Sequence, residues 1–370
     1  MGKPYLSIII PAFNEKETIV RLLGSLVKSE KAPLSEVIIV DDGSIDRLEN
    51  FVRSWGITRA KKFGDKKKSF LQSVQVLRHT KNRGPAAARN TGVKKATGEV
   101  ILFLDSDIEV FPDTLAQVKL TFDDPDVHAM TGVWDKEQQT NDFFPKFKAL
   151  RDWSYWINER DQRGYYYLFS TRIASIRREL FNRLGGFDES YTSASVEDIE
   201  LTYRIARRYA VIFNPNVRVH HEFEGFEIVA RKYFIRSYAW SRLYAKRGKF
   251  DPVASTRSEA LTAISAFGLM FGGIFIFGYF WILFGLIPLI DSKYYLLLLN
   301  IFYILLVLYF ASLIVHIRGV RKFLWFVYRE EGIVFAIKSF AMGLVLYVII
   351  VAGALTFAWD RVKLKFNRSS

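Results

Sequence analysis

Over the first part of the chain, short and nearly continuous apolar runs alternate with longer stretches in which apolar residues recur every three or four positions. The runs cover residues 6–10, 37–40, 74–77 and 100–104. Each is too short for a helix and lacks the strict alternation of a half-solvated strand, so each predicts a strand covered on both faces. Between them, Ile19, Leu22, Leu23 and Leu26 predict a helix over 15–28. A second helix fits 45–62, and a third fits the alanine-rich stretch 85–96, which opens on a proline. Strands alternating with helices predict an α/β fold with a doubly wound, mostly parallel sheet. Right-handed crossovers would gather the loops after these strands at one edge, where open sheets bind ligands. Further on, Leu201, Ile205 and Tyr209 share one face of a helix over 199–208, and 216–219 reads as extended.

Beyond residue 258 the pattern changes. Residues 260–290 and 294–315 carry no charged side chain, and 332–359 carry one, Lys338. Each stretch exceeds the roughly 20 residues that span a bilayer core. They predict an all-α transmembrane domain with three helices, at about 262–290, 294–316 and 333–358. The first would measure over ~40 Å as one helix, so it tilts, starts in the interface, or breaks near Gly272-Gly273 or Gly278. Ahead of it, Val229, Tyr233, Phe234, Tyr238, Trp240 and Tyr244 recur at helical spacing opposite Lys232, Arg236, Arg242 and Lys246, as in an amphipathic helix lying at a membrane interface.

Charge sharpens this picture. The formal net charge of +14 is concentrated at the membrane boundary: residues 231–257 hold eight Lys or Arg against Asp251. Such an excess predicts a cytoplasmic flank and attraction to anionic membrane lipid, and it leaves no reason to expect nucleic acid as a partner. Residues 318–329 are basic and fit a second cytoplasmic loop. The tail, with Arg361, Lys363, Lys365 and Arg368, is basic too, although three crossings would place it outside. The run 5–10 is too short for a signal peptide and stops at Pro11. With no cysteine in the chain, disulfide frameworks and thiolate metal sites are excluded.

The candidate chemistry follows the strands. The fourth run ends in Asp105-Ser106-Asp107. Two carboxylates at a strand end repel one another unless a cation lies between them, and hard oxygen ligands suit Mg²⁺ or Mn²⁺ shared with a phosphate-bearing substrate. No glycine-rich dinucleotide fingerprint follows the first strand, and no P-loop is present. A second acidic pair, Glu197-Asp198, opens the helix over 199–208, where a helix N-terminus favours carboxylates in any case. Arg83 is placed either to pair with phosphate or to stand as a surface residue at a helix start. Trp153, Tyr155 and Trp156 read as aromatic core or as the wall of a groove.

Six motifs then line up in order over residues 5 to about 225. They are Ser7-Ile8-Ile9-Ile10-Pro11-Ala12-Phe13-Asn14-Glu15, Val40-Asp41-Asp42-Gly43-Ser44, Asn82-Arg83-Gly84-Pro85-Ala86-Ala87-Ala88-Arg89-Asn90-Thr91-Gly92, Asp105-Ser106-Asp107, Gly185-Gly186-Phe187-Asp188-Glu189 and Val196-Glu197-Asp198. In this set the chain resembles the inverting glycosyltransferases of family 2 with the GT-A fold. The resemblance implies a nucleoside-diphosphate sugar as donor, UDP- favoured over GDP-, bound by Pro11, Ala12, Phe13, Glu15, Asp42, Arg83, Asp105 and Ser106. It implies Asp107 as the direct metal ligand, with Asp105 on ribose, sugar or metal-bound water, and His220 as a further ligand or a structural residue. Gly186, Phe187, Asp188 and Glu189 would lie on the acceptor side, with Asp198 as general base and Glu197 assisting.

Processive polysaccharide synthases of the family carry a Gln-x-x-Arg-Trp signature, where this chain has Arg236-Ser237-Tyr238-Ala239-Trp240 without the Gln. The expectation is a hexosyltransferase adding one sugar to a hydroxyl of a lipid-linked acceptor at the cytoplasmic face. Polyprenyl-phosphate sugar synthases are the alternative; a processive synthase and an inactive membrane scaffold fit less well. The expected division is a catalytic domain at 1–226, a connector at 227–257, a transmembrane domain at 258–359 and a tail at 360–370.

Overall fold

The computed structural model of the chain describes residues 2–46, 48–52, 54, 74–160, 167–194, 196–248, 256–286 and 291–369. Lys66, Lys67 and Lys68, and much of the helix expected over 45–62, lie outside them. The chain divides into two compact units, Met1–Glu224 and Gly225–Ser370.

In the first unit β1 (Leu6–Ala12), α1 (Lys16–Val27), β2 (Ser35–Asp41), β3 (Val74–Arg78), α2 (Pro85–Lys95) and β4 (Val100–Leu104) follow the predicted alternation. Then come β5 (Ile108–Val110), α3 (Thr114–Phe122), β6 (Ala129–Trp134), α4 (Phe143–Ser154), β7 (Ile173–Arg177), α5 (Arg178–Arg183), α6 (Glu197–Ile205) and β8 (Val211–His221). They form one eight-stranded sheet in the order β3-β2-β1-β4-β7-β6-β8-β5. The β3, β2, β1 and β4 strands pair in parallel. From β7 onward the sheet is mixed, with antiparallel β4–β7, β6–β7 and β5–β8 pairs and a parallel β6–β8 pair.

The continuous apolar runs are explained by two cores. Ile8, Ile10, Val37, Ile39, Leu102 and Leu104 face α1, whose Ile19, Leu22, Leu23 and Leu26 are buried against them. Ile9, Ile38, Val40, Ile101 and Phe103 face the other way and pack with Ala86, Ala88 and Val93 of α2. Each fully buried Leu, Ile or Phe contributes about 1.5–3 kcal/mol. The alanines let α2 lie close to β1: a Cβ on Gly92 would come within 2.5 Å of Ile9 Cγ2. Trp156, one of the aromatic residues in question, is core, stacked on Phe213 and Tyr167.

Opposite the site, Glu36 fastens the other end of the sheet. Its Oε1 accepts hydrogen bonds from Ser7 Oγ at 2.6 Å, Thr97 N at 2.7 Å and Thr97 Oγ1 at 2.8 Å. Burial works to raise its pKa, and these bonds outweigh burial, holding the carboxyl below its ordinary value.

The β8 strand is longer than the extended stretch expected at 216–219. Asn214, Pro215 and Asn216 disguise its first half, and the pairing with β6 shifts register there, between Thr131 and Val133.

The second unit holds α7 (Phe226–Arg247), α8 (Arg257–Leu286) and α9 (Ser292–Ser369). Gly332, at φ 83° and ψ 179°, breaks α9 into arms over 292–331 and 333–369. Among the described residues, two helices are long and apolar enough to cross a membrane, Arg257–Gly285 and Lys293–Lys363. The α8 helix is unbroken at its glycines. Gly272 and Gly273 instead face Tyr309 of α9, while Gly268 faces Ser312, small residues letting the helices approach. The basic stretch 318–329, expected as a loop, is helical, because nothing before Gly332 interrupts it. The α7 helix packs along the second arm of α9: Ser237 Oγ donates to Ile350 O at 2.5 Å, and Tyr238 Oη donates to Asp360 Oδ2 at 3.1 Å.

Candidate functional site

The parallel pairing brings the ends of β1, β2 and β4 to one edge, as expected of consecutive βαβ units. The first two loops are sewn together. Asn14, at φ 57°, donates its N–H to Ser44 Oγ at 2.9 Å, and its Oδ1 accepts from Ile45 N at 3.0 Å. Asp42 N donates to Ala12 O at 2.8 Å. Phe13 projects from this edge, 44% exposed, while Ala12 is buried and Glu15 Oε2 accepts from Thr18 Oγ1 at 2.6 Å. Pro11, half-buried, pairs with Val40 in the β1–β2 register.

The Asp42 carboxylate is buried and heavily engaged. Its Oδ1 meets His79 Nδ1 at 2.6 Å, its oxygens accept from Arg83 N at 3.0 and 3.1 Å, and Oδ2 accepts from Gly84 N at 2.7 Å. His79 Nε2 in turn lies 2.9 Å from Thr91 Oγ1. Asp42 therefore shapes the turn that opens α2. That turn needs glycine: Gly84 sits at φ 90°, and a Cβ there would lie 2.5 Å from Thr192 O. The Arg83 guanidinium reaches Glu189 Oε2 at 2.8 Å, an exposed pair.

Residues 186–189 clasp the same helix. Asn90 Nδ2 donates to Phe187 O at 2.9 Å and to Glu189 Oε1 at 3.0 Å, and Asn90 Oδ1 accepts from Phe187 N at 2.9 Å. Gly186, at φ 73°, passes so close that a Cβ would lie 2.6 Å from Asn90 Oδ1. Asp188 Oδ1 accepts from Ser190 N at 2.9 Å and closes a local turn.

One carboxylate from each acidic pair binds Arg89 of α2. Arg89 Nη2 donates to Asp105 Oδ1 at 2.9 Å, and Nη1 donates to Glu197 Oε1 at 3.0 Å. Burial works against the charge on Arg89; Asp105, Glu197 and Asp198 more than offset it and keep the guanidinium protonated. Asp198 lies in the first turn of α6 beside Glu197, its Oδ1 accepting from Ile199 N at 2.8 Å. Ser106 is buried between Asp105 and Asp107.

The histidine beside the metal motif is His221. The β5–β8 pairing sets Ile108 against His221, and His221 Nε2 lies 3.2 Å from Asp107 Oδ2. Its ring packs against Trp134 and Phe223, and its Nδ1 is buried with no hydrogen-bond partner. His220, expected next to Asp107, points to the other face because side chains alternate along a strand. Its Nδ1 lies 3.8 Å from Asp135, and its Nε2 lies 2.7 Å from Glu222. Asp135 and Glu222 together outweigh burial and push the imidazole pKa up to about 9.

Sequence reasoning thus missed Arg89, His79 and His221. Arg89 lies inside the motif at 82–92, and His221 is the immediate neighbour of His220. The strand register, which decides between the adjacent histidines, was the missing signal.

Among the described residues, no group of three or more His, Asp or Glu side chains is arranged to hold a metal ion by itself. The Asp107–His221 pair offers one hard oxygen donor and one imidazole nitrogen at the edge of the sheet. That donor set fits a divalent cation whose remaining positions are filled by substrate phosphates.

Comparison with known proteins agrees with this layout. The glycosyl transferase family 2 model matches residues 7–185. Validoxylamine A glucosyltransferase of Streptomyces hygroscopicus subsp. limoneus is 27% identical over 228 residues, 55% of this chain and 48% of that protein. Glycosyltransferase AglE of Haloferax volcanii is 33% identical over 106 residues, 28% of this chain and 31% of that protein. The chain spans about half or less of the length of these relatives. Among solved structures, a mannosyltransferase from Pyrobaculum calidifontis, in complex with GDP-Man and Mn²⁺, superposes with a TM-score of 0.56. It is 19% identical, and the match covers 97% of this chain and 88% of the other, a likeness of fold. Residues 7–185 thus form a glycosyl transferase family 2 domain on a GT-A scaffold, followed by long apolar helices.

Proposed function

We propose that the chain is a membrane-anchored, cation-dependent, inverting hexosyltransferase. It moves one sugar from a nucleoside-diphosphate sugar, UDP- favoured over GDP-, to a hydroxyl of a lipid-linked acceptor at the cytoplasmic face. The observation that carries this reading is the bridge that Arg89 makes between one member of each acidic pair, Asp105 of Asp105/Asp107 and Glu197 of Glu197/Asp198. One pair alone would serve as a loop cap or a helix cap. Two pairs joined across the site supply a donor side and an acceptor side.

In this reading Pro11, Ala12, Phe13 and Glu15 border the nucleotide. Asp42 and Arg83 build the turn beside it, and Asp105 and Ser106 face the ribose and sugar. Asp107 and His221 hold Mn²⁺ or Mg²⁺, which when bound neutralises the diphosphate leaving group. Asp198 accepts the proton of the attacking hydroxyl on the face opposite that leaving group, a single displacement that inverts the anomeric carbon. Glu197 supports it, and Gly186, Phe187, Asp188 and Glu189 border the acceptor. Mass action gives the test. A true donor at a hundredfold its Kd stabilises the folded chain by ~2.7 kcal/mol. With the full chain in detergent and Mn²⁺ present, a thermal-shift screen of UDP-, GDP- and dTDP-hexoses should yield one clear upward shift. A flat response to all of them sinks the reading.

The division expected from the sequence stands as part of this proposal: catalytic at 1–226, connector at 227–257, membrane region at 258–359 and tail at 360–370. The α7 helix supports a refinement. Its basic residues hold it at the anionic membrane surface, and Ser237 and Tyr238 bind Ile350 and Asp360. The end of α9 then lies level with α7, and the basic tail joins the basic connector on the cytoplasmic side. Two crossings, α8 and the first arm of α9, satisfy both. The chain contains no cysteine, so single cysteines at Ser241 and Ser369 can be labelled with an impermeant maleimide. In sealed inside-out vesicles both should react. Reaction at Ser369 only in right-side-out vesicles would restore a third crossing.

A further inference from the structure

Arg89 is buried, 4% exposed, yet the chemistry of transfer as proposed above gives it no task. It belongs to α2, the helix that packs on β1 and opens at the turn built by Asp42. Its planar guanidinium reaches in two directions, to Asp105 at the end of β4 and to Glu197 at the start of α6. Its Cζ also lies 5.7 Å from the centre of the Phe187 ring. Residues from four of the six motifs thus meet at one side chain.

We propose that Arg89 is a positioning residue that sets the spacing between the donor-side carboxylates and the acceptor-side base. The inference rests on the glycosyltransferase reading. Through Asp105 it fixes the loop that carries Asp107. Through Glu197 it fixes the first turn of α6, which carries Asp198. Asp105 Oδ1 is committed to this bridge, so the donor meets Asp105 through Oδ2.

Charge neutralisation alone does not account for the arrangement. Asp105 is 36% exposed at its side chain and is hydrated without help. Glu197, 5% exposed, needs a cation, but a lysine would provide one. What a lysine lacks is the rigid fork that binds two carboxylates in one plane. The fork matters if the two halves must be held at a set distance, which single displacement demands: acceptor oxygen, anomeric carbon and leaving oxygen lie in one line. A misplacement of about 1 Å can cost about 10²-fold in rate.

The test uses the full-length chain in lipid nanodiscs. UDP and GDP with Mn²⁺ are the binding probes, and transfer is measured from UDP- and GDP-hexoses. Arg89→Lys should bind the nucleoside diphosphate within about threefold of wild type and keep the donor KM, while kcat falls about 10²-fold. Arg89→Lys with wild-type kcat would overturn the proposal, leaving Arg89 a neutralising charge. Equal losses of diphosphate affinity and kcat would also overturn it, making the residue one of general folding.

Should Arg89→Lys fold poorly, Arg89→Met combined with Glu197→Gln removes the buried Arg89–Glu197 ion pair as a unit and serves instead. If Arg89 acts through Glu197, the double variant's kcat should match that of Glu197→Gln within about threefold, whereas independent residues would multiply their losses. A multiplied loss overturns the proposal. A wild type inert with every donor overturns the glycosyltransferase reading together with this one. An active wild type with an equally active Arg89→Lys overturns this one alone.

Discussion

Asp107→Ala is expected to lower kcat/KM for sugar transfer by about 10³-fold or more, about 4 kcal/mol of transition-state stabilisation, with little change in stability. The two expectations separate because of where Asp107 stands. Its side chain is 39% exposed at the sheet edge, beyond the apolar run of β4, and its Oδ2 lies 3.2 Å from His221 Nε2. Surface changes of this kind usually shift stability by under about 0.5 kcal/mol. Under the proposed function the donor's diphosphate would bring negative charge to an edge that already holds Asp105 and Asp107, and leaving-group departure would add more. Asp107 is the residue through which a cation would be held against that charge. Removing Mn²⁺ and Mg²⁺ from the wild type with a chelator should therefore reduce transfer to the level of Asp107→Ala, and the variant should respond little to the same chelator. His221→Gln should fall between wild type and Asp107→Ala, since one donor of the pair survives. Transfer by Asp107→Ala within tenfold of wild type, measured with radiolabelled sugar nucleotide, would remove the cation from the mechanism.

The site's skeleton was legible because strand ends announce themselves. Apolar runs that stop at Pro11, at Asp41-Asp42 and at Asp105 fixed three loops at one edge, and parallel pairing of β1, β2 and β4 put them there. The limits of that reading are equally physical. Whether His220 or His221 reaches Asp107 depends on a one-residue register between β5 and β8, and β8 is masked by Asn214, Pro215 and Asn216. Arg83 and Arg89 look alike in sequence. Six positions in the chain separate an exposed guanidinium in the turn before α2, paired with Glu189, from a buried one within α2 that joins Asp105 to Glu197. Asp42 drew attention as a nucleotide contact, whereas its oxygens hold His79 and the N–H groups of Arg83 and Gly84. In the apolar half, composition located the helices but not their ends. The basic stretch after His316 resembles a loop in charge, yet the chain stays helical until Gly332 supplies a positive φ.

Asp198→Asn is expected to reduce kcat by about 10²–10⁴-fold while leaving nucleoside-diphosphate affinity near that of wild type. Asp198 sits in the first turn of α6, where any carboxylate gains ~0.3–1 kcal/mol from the helix N-terminus. If that were its whole role, the amide would cost a small loss of stability and at most a few-fold in rate. A hydroxyl acceptor asks for more, because its proton must leave as the oxygen attacks, and the group that takes it must stand opposite the diphosphate. A loss of 10²–10⁴ in kcat amounts to ~2.7–5.4 kcal/mol, well above the capping contribution, so the size of the effect distinguishes the two roles. The acceptor supplies a second axis. A polyprenyl phosphate attacks with an oxygen that is already ionised and has no proton to give up. If Asp198→Asn transferred sugar to polyprenyl phosphate as fast as wild type does, and wild type used that acceptor efficiently, the enzyme would be a polyprenyl-phosphate sugar synthase and Asp198 a helix cap. If the variant instead loses turnover with a lipid-linked saccharide and still binds UDP or GDP with Mn²⁺, donor and acceptor duties are divided between Asp107 and Asp198, on the two sides of the bridge made by Arg89.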